Sequence, residues 1–196
     1  MLLFDEPLSN LDAKLRRRVR DEIRELQQRL ALTAVYVTHD QSEALAVSDT
    51  IIVMDQARIS QVGTPTELYR EPASHFIARF IGEANVIATR LTRRDERLGV
   101  ATLGAQAVVV PHRGLADGPA QLVIRPEAIR VGTSAGGDAL PGAIVHALYL
   151  GDHLEYTVDT EAGPLFVIDH EVDRILAIGT AVWLSFRPSG LCLLPS

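Results

Sequence analysis

The six residues Leu2-Leu3-Phe4-Asp5-Glu6-Pro7 constrain this chain more than any other stretch. Three apolar residues lead into two adjacent carboxylates, and a proline then ends any strand ladder. The pattern predicts a buried strand with both acids at its carboxyl end, the edge of an open α/β sheet at which ligands bind. Paired acids can divide the work of phosphoryl transfer: one holds a metal ion while its neighbour orients or deprotonates a water. An isolated Asp-Glu pair more often just terminates a strand in solvent, so the residues downstream decide between the two readings.

Leu11, Leu15, Val19, Ile23, Leu26 and Leu30 recur at helical spacing, which predicts a helix from about Ala13 to Leu30 with Asp12 as its N-cap. Ala34-Val35-Tyr36-Val37-Thr38 reads as a β-branched, buried strand. Asp40 with Glu43 forms a capping-box pattern for a short helix through about Val47. Strand, helix, strand and helix in alternation imply a parallel sheet flanked by helices. Thr50–Met54 and Arg58–Val62 then read as a hairpin turned at Asp55-Gln56-Ala57. Thr64-Pro65-Thr66-Glu67 is a complete helix start, and that helix stops near Pro72. A further helix carries Phe76, Ile77, Phe80 and Ile81 on one face and ends at Gly82.

From Glu83 the texture changes. Val86–Leu91, Ala107–Val110, Gln121–Ile124, Ile144–Leu150, Glu155–Asp159, Leu165–Ile168 and Ala181–Phe186 are short β-rich runs separated by turns containing Gly or Pro. Their spacing indicates an all-β barrel or sandwich of the OB kind. Trp183 lies in the last of these runs and is expected in the core. His112, His146, His153 and His170 lack tight metal spacing and are expected at the surface or partly packed. Tyr149 and Tyr156 are expected to pack in the core or an interface, with a small-ligand site as the lesser reading.

Two segments carry a family resemblance. Leu2–Pro7 with Leu8-Ser9-Asn10-Leu11-Asp12 resembles the Walker B strand and D-loop of ABC-transporter ATPases, and Val37-Thr38-His39-Asp40-Gln41-Ser42-Glu43-Ala44 resembles their switch-histidine segment. Phe80–Asn85, Ile124-Arg125-Pro126-Glu127 and Tyr149-Leu150-Gly151-Asp152 resemble the TOBE domain, an accessory β-barrel of import-type members. The resemblance implies an α/β fold, the C-terminal half of a P-loop NTPase domain, over residues 1–82, and an OB-like TOBE barrel over 83–196. It implies that Asp5 holds Mg²⁺ through a water and that Glu6 orients, or takes a proton from, the attacking water. It further implies that His39 contacts the γ-phosphate of ATP and that Ser9, Asn10 and Asp12 form the D-loop facing a second ATPase subunit. The implied partners are that second copy and the transmembrane permease subunits of an importer. The implied location is cytoplasmic, peripheral on the inner face of the plasma membrane.

The sequence also departs from the family. Lys14 is its only lysine and follows no glycine loop, so the phosphate cradle G-x-x-x-x-G-K-[ST] is absent. The Leu-Ser-Gly-Gly-Gln signature is absent too, and the family's usual glycine in the hairpin turn is Ala57. The chain is therefore expected to start inside an ATPase domain, to bind no ATP tightly and to be inactive alone. Its N-terminal half is expected to be loosely ordered or to pair with another chain. The alternative is a non-catalytic regulatory, dimerisation or small-ligand-binding module with an inert ATPase remnant. The net charge of -6 argues against a broad nucleic-acid surface, and the single Cys192 excludes an internal disulfide. No stretch is long and apolar enough to insert directly into a membrane as a helix.

Overall fold

In a computed structural model that describes all of residues 1–196, the chain divides into two units, Met1–Gly82 and Glu83–Ser196. The first begins with strand β1 (Leu2–Asp5), helix α1 (Ala13–Leu30) and strand β2 (Ala34–Val37). The strands pair in parallel, Leu2 against Ala34 through Asp5 against Val37. A parallel pair needs a crossover longer than a hairpin turn, and α1 supplies it. Asp12 caps α1 as its sequence position predicts, its carboxylate accepting the amides of Lys14 and Leu15, each at 3.0 Å. The far end closes on Ala31, at φ 49°, whose amide returns to the carbonyls of Gln27 and Gln28.

By composition β1 and β2 read as buried strands, but in a sheet of two they are only partly covered. Leu3, Val35 and Val37 share one face and are 71%, 45% and 47% exposed, and no residue of α1 is fully buried. Parallel strands are buried where both faces are covered; this two-stranded sheet leaves one face open. Phe4 and Tyr36, in register on the opposite face, are half-buried with ring centroids 6.0 Å apart.

Helix α2 (Gln41–Val47) leads to β3 (Ile51–Asp55) and β4 (Arg58–Gly63), an antiparallel hairpin, and then to α3 (Pro65–Arg70) and α4 (His75–Phe80). Thr64 and Glu67 form the full capping box at α3. At α2 the box is only half made: Asp40 accepts the amides of Ser42 and Glu43, but the Glu43 side chain turns inward. Ile51, Val53, Leu68, Ile77 and Ile81 form the core of this unit.

The second unit contains ten strands: β5 (Asn85–Arg93), β6 (Leu98–Leu103), β7 (Gln106–Pro111), β8 (Gly118–Ile124), β9 (Ile129–Gly132), β10 (Leu140–Tyr149), β11 (Leu154–Thr160), β12 (Leu165–Asp169), β13 (Ala181–Phe186) and β14 (Leu191–Pro195). They form two five-stranded antiparallel sheets, ordered β12-β11-β10-β13-β9 and β14-β8-β5-β6-β7, that share one core in a barrel-like arrangement. Asn85 stitches the sheets together. Its side-chain nitrogen donates to the carbonyls of Ile124 and Phe166, and its oxygen accepts the Phe166 amide at 2.7 Å. Arg125, almost fully buried, donates to the carbonyl of Glu83 at 3.1 Å. Gly190 packs so closely on Ala128 that a Cβ there would overlap it.

Two side-chain expectations are corrected. Trp183 is only half-buried, because the pleat of β13 sends Val182 and Leu184 into the core and Trp183 the other way. His112 is not a surface residue but 4% exposed, with its Nδ1 accepting the Gly114 amide. Tyr156 is fully buried, its hydroxyl accepting the Leu176 amide at 3.0 Å, whereas Tyr149 is exposed.

Gln56 and Ala57, at φ 46° and 61°, both occupy the left-handed region in the two-residue turn between β3 and β4. Such turns favour glycine at the second position, and a Cβ there costs about 1 kcal/mol. Ala57→Gly is expected to stabilise the first unit by about 1 kcal/mol in urea unfolding. An unchanged or lower midpoint at equal slope would contradict this reading of the turn.

Candidate functional site

Parallel pairing places the carboxyl ends of β1 and β2 side by side. The ladder continues one step beyond the strands, with the Glu6 amide donating to the Val37 carbonyl at 2.9 Å. Glu6 follows β1 directly and His39 lies two residues beyond β2, so residues 33 apart in sequence meet at one edge. Nδ1 of His39 lies 3.0 Å from Oε1 of Glu6. The imidazole donates in this contact, which fixes the tautomer and leaves Nε2 directed elsewhere. Glu6 holds φ 45°, an uncommon conformation for a residue with a side chain. Its carbonyl accepts both the amide and the hydroxyl of Ser9, closing the turn after β1.

The other sequence candidates occupy different surroundings. Asp5 is the last residue of β1, exposed and in register with Val37. Asn10 is exposed in the turn, while Asp12 uses its carboxylate to cap α1. Between Asp5 and Asn10, Leu8 is 1% exposed and anchors the turn. The structure therefore brings Glu6 and His39 together, keeps Asp5 beside them in the chain, and ties Ser9 to the Glu6 backbone.

Beneath the pair lies a polar cluster that the motifs do not reveal. Glu43 of α2 is 3% exposed, and its carboxylate accepts the Tyr36 hydroxyl at 3.0 Å and the Thr38 hydroxyl at 2.9 Å. The Thr38 hydroxyl in turn accepts the Asp40 amide at 3.0 Å. Arg16 of α1 donates to the Leu11 carbonyl at 3.0 Å and faces Asp40 at 3.5 Å and Glu43 at 3.7 Å. Burial and the adjacent Glu43 carboxylate push the Tyr36 phenol well above its ordinary range. The Ser42 hydroxyl and the α2 amides hold Asp40 below the usual carboxylate value. The only sequence signal for this cluster is a glutamate inside α2, which capping statistics assign to another role.

Glu6, through its hydrogen bond and then its charge, raises the His39 pKa; Asp40 and Glu43 add to the effect. The two side chains are 76% and 47% exposed, so solvent screens the pair and its contribution to stability is small. As chemistry, a solvent-facing carboxylate can accept a proton from a water, and the imidazole beside it, when protonated, can donate to an anion.

A family model for the TOBE domain matches residues 122–194, from within β8 to within β14. The chain is 53% identical over 194 residues to the "Fe(3+) ions import ATP-binding protein FbpC" of Brucella melitensis, covering 99% of this chain and 55% of that protein. It is 56% identical over 194 residues to "Fe(3+) ions import ATP-binding protein FbpC 1" of Rhizobium meliloti, again over 99% and 55%. The chain thus spans about half the length of these curated relatives. A solved structure of the cytoplasmic molybdate-binding protein ModG aligns with 56% of this chain and 94% of its own, at 17% identity and a TM-score of 0.47, a likeness too distant to bear on function.

Replacing Glu6 by Gln is expected to lower the His39 pKa toward its ordinary value, as read from imidazole proton shifts against pH. A group with a raised folded pKa contributes stability below its unfolded pKa and loses it as pH rises through the folded one. The small stability gap between wild type and Glu6→Gln is therefore expected in mildly acid solution and absent in alkaline solution. A gap that grows on the alkaline side would refute the contact.

Proposed function

We propose that the chain is part of an ABC-importer ATP-binding subunit that carries a TOBE domain, and that its first unit supplies the hydrolytic edge of an ATPase. Residues 1–82 are read as the C-terminal half of a P-loop NTPase domain and residues 83–196 as the TOBE barrel. The observation that carries the reading is the 3.0 Å contact between Glu6 and His39 at the ends of two parallel strands.

In this reading Glu6 accepts His39 through Oε1 and keeps a second oxygen for a water. That oxygen takes the water's proton as the water attacks the γ-phosphorus, while the bond to the departing ADP breaks. His39, favoured as imidazolium by Glu6, presents Nε2 to the γ-phosphate oxygens. Asp5 fits a magnesium ion: one hard carboxylate at an exposed edge suits an ion that keeps its waters and takes the rest of its shell from phosphates. When bound, the ion neutralises charge on those phosphates. Ser9, Asn10 and Asp12 form the loop that faces a second ATPase subunit. The assembly includes permease subunits at the cytoplasmic face of a membrane, and ferric ion, named for the relatives, is the proposed cargo.

The sequence contains no glycine-rich lysine loop, so its carboxylates meet a nucleotide without a cradle of amides. Isothermal titration of the purified chain with Mg-ATP is expected to show no dissociation constant in the low micromolar range. Catalysis is tested in a chimera in which this chain replaces its matching segment of the Brucella melitensis relative. The chimera is expected to hydrolyse ATP, and Glu6→Gln to lower kcat by about 100-fold or more. Tight Mg-ATP binding by the chain alone, or a Glu6→Gln chimera as fast as its parent, would overturn the proposal.

A further inference from the structure

Arg16 lies outside every segment that points to phosphate chemistry, yet it touches both sides of the candidate site. From α1 its guanidinium reaches the Leu11 carbonyl in the turn after β1, and Asp40 and Glu43 in the segment after β2. Glu43 is buried and also holds the hydroxyls of Tyr36 and Thr38, and Thr38 holds the Asp40 amide. His39 itself is highly exposed and depends on its neighbours in the chain for its place. Both neighbours, Thr38 and Asp40, belong to this cluster.

We propose that Arg16, backed by the buried carboxylate of Glu43, is a positioning residue that ties the turn after β1 to the His39 segment and so holds the imidazole against Glu6. The chemistry suits arginine in particular. A planar guanidinium with five donors can serve a carbonyl and two carboxylates from one side chain, whereas the compact ammonium of lysine cannot span all three. The value of that geometry to an enzyme rests on the phosphate-site reading above, since a general base must sit within hydrogen-bond reach of its proton.

The direction of one shift separates positioning from plain electrostatics. The charged groups that act on His39 are Glu6 from the turn after β1, Asp40 that caps α2, and Glu43 within α2, and Arg16 of α1 lies against the last two. Removing a nearby cation by itself raises an imidazole pKa, because it removes repulsion. Releasing the imidazole from Glu6 lowers it.

The test is an NMR titration of His39 in the full chain, for wild type, Glu6→Gln, Arg16→Met and the double variant. The proposal expects Arg16→Met to lower the His39 pKa, and Glu6→Gln to have little further effect in that background. An Arg16→Met pKa at or above the wild-type value, or an undiminished Glu6→Gln shift in its presence, overturns it. Should Arg16→Met fail to fold by circular dichroism, Arg16→Lys replaces it, keeping the charge and losing the three-way reach. There the proposal expects a partial loss of the Glu6-dependent shift, and a full wild-type shift overturns it. These readings use no nucleotide, so they stand or fall apart from the Mg-ATP and chimera experiments.

Discussion

The parallel ladder between Leu2–Asp5 and Ala34–Val37 is the constraint on which the candidate site depends. Main-chain hydrogen bonds set its register, so they also decide which residues emerge together at the sheet edge. A slip of one residue would turn every side chain of one strand to the other face. It would also part Glu6 from His39. The first unit therefore creates its candidate site with backbone geometry and trims it with side chains.

Those side chains lie in layers of decreasing exposure. Glu6 and His39 face solvent, Asp40 and Arg16 are partly covered, and Glu43 is buried. A buried carboxylate is costly unless its acceptor sites are filled, and here two hydroxyls and a guanidinium surround it. Removing a partner would leave that charge poorly compensated. The cluster thus confines the segment carrying the imidazole more firmly than an exposed loop of this length could confine itself.

What was legible in the sequence was local. Asp12 and Thr64 cap their helices as their positions predict, because capping engages amides within three residues. Glu43 follows the same local rule on paper, but the hydroxyls of Tyr36 and Thr38 outcompete the Asp40 amide for its side chain. Trp183 is expected in the core, yet strand parity gives the core to Val182 and Leu184. The strands β6, β9 and β14 escaped notice for separate reasons: a glycine interrupts the first, the second is four residues long, and Leu191-Cys192-Leu193-Leu194 is an unbroken apolar run without alternation. The motif residues Asp5, Glu6 and His39 were legible as a pattern. Arg16 and Leu8 were not, because their importance exists only once distant turns meet.

The Asn85 stitch has a kinetic consequence. Its amide bonds residue 85 to residue 166, 81 positions along the chain, and so cannot form until most of the second unit has been gathered. Contacts of such sequence separation raise contact order and slow the search for the native topology. Closure of the two sheets across Asn85 therefore carries the entropic cost of a loop some eighty residues long, a cost that contacts near in sequence do not bear.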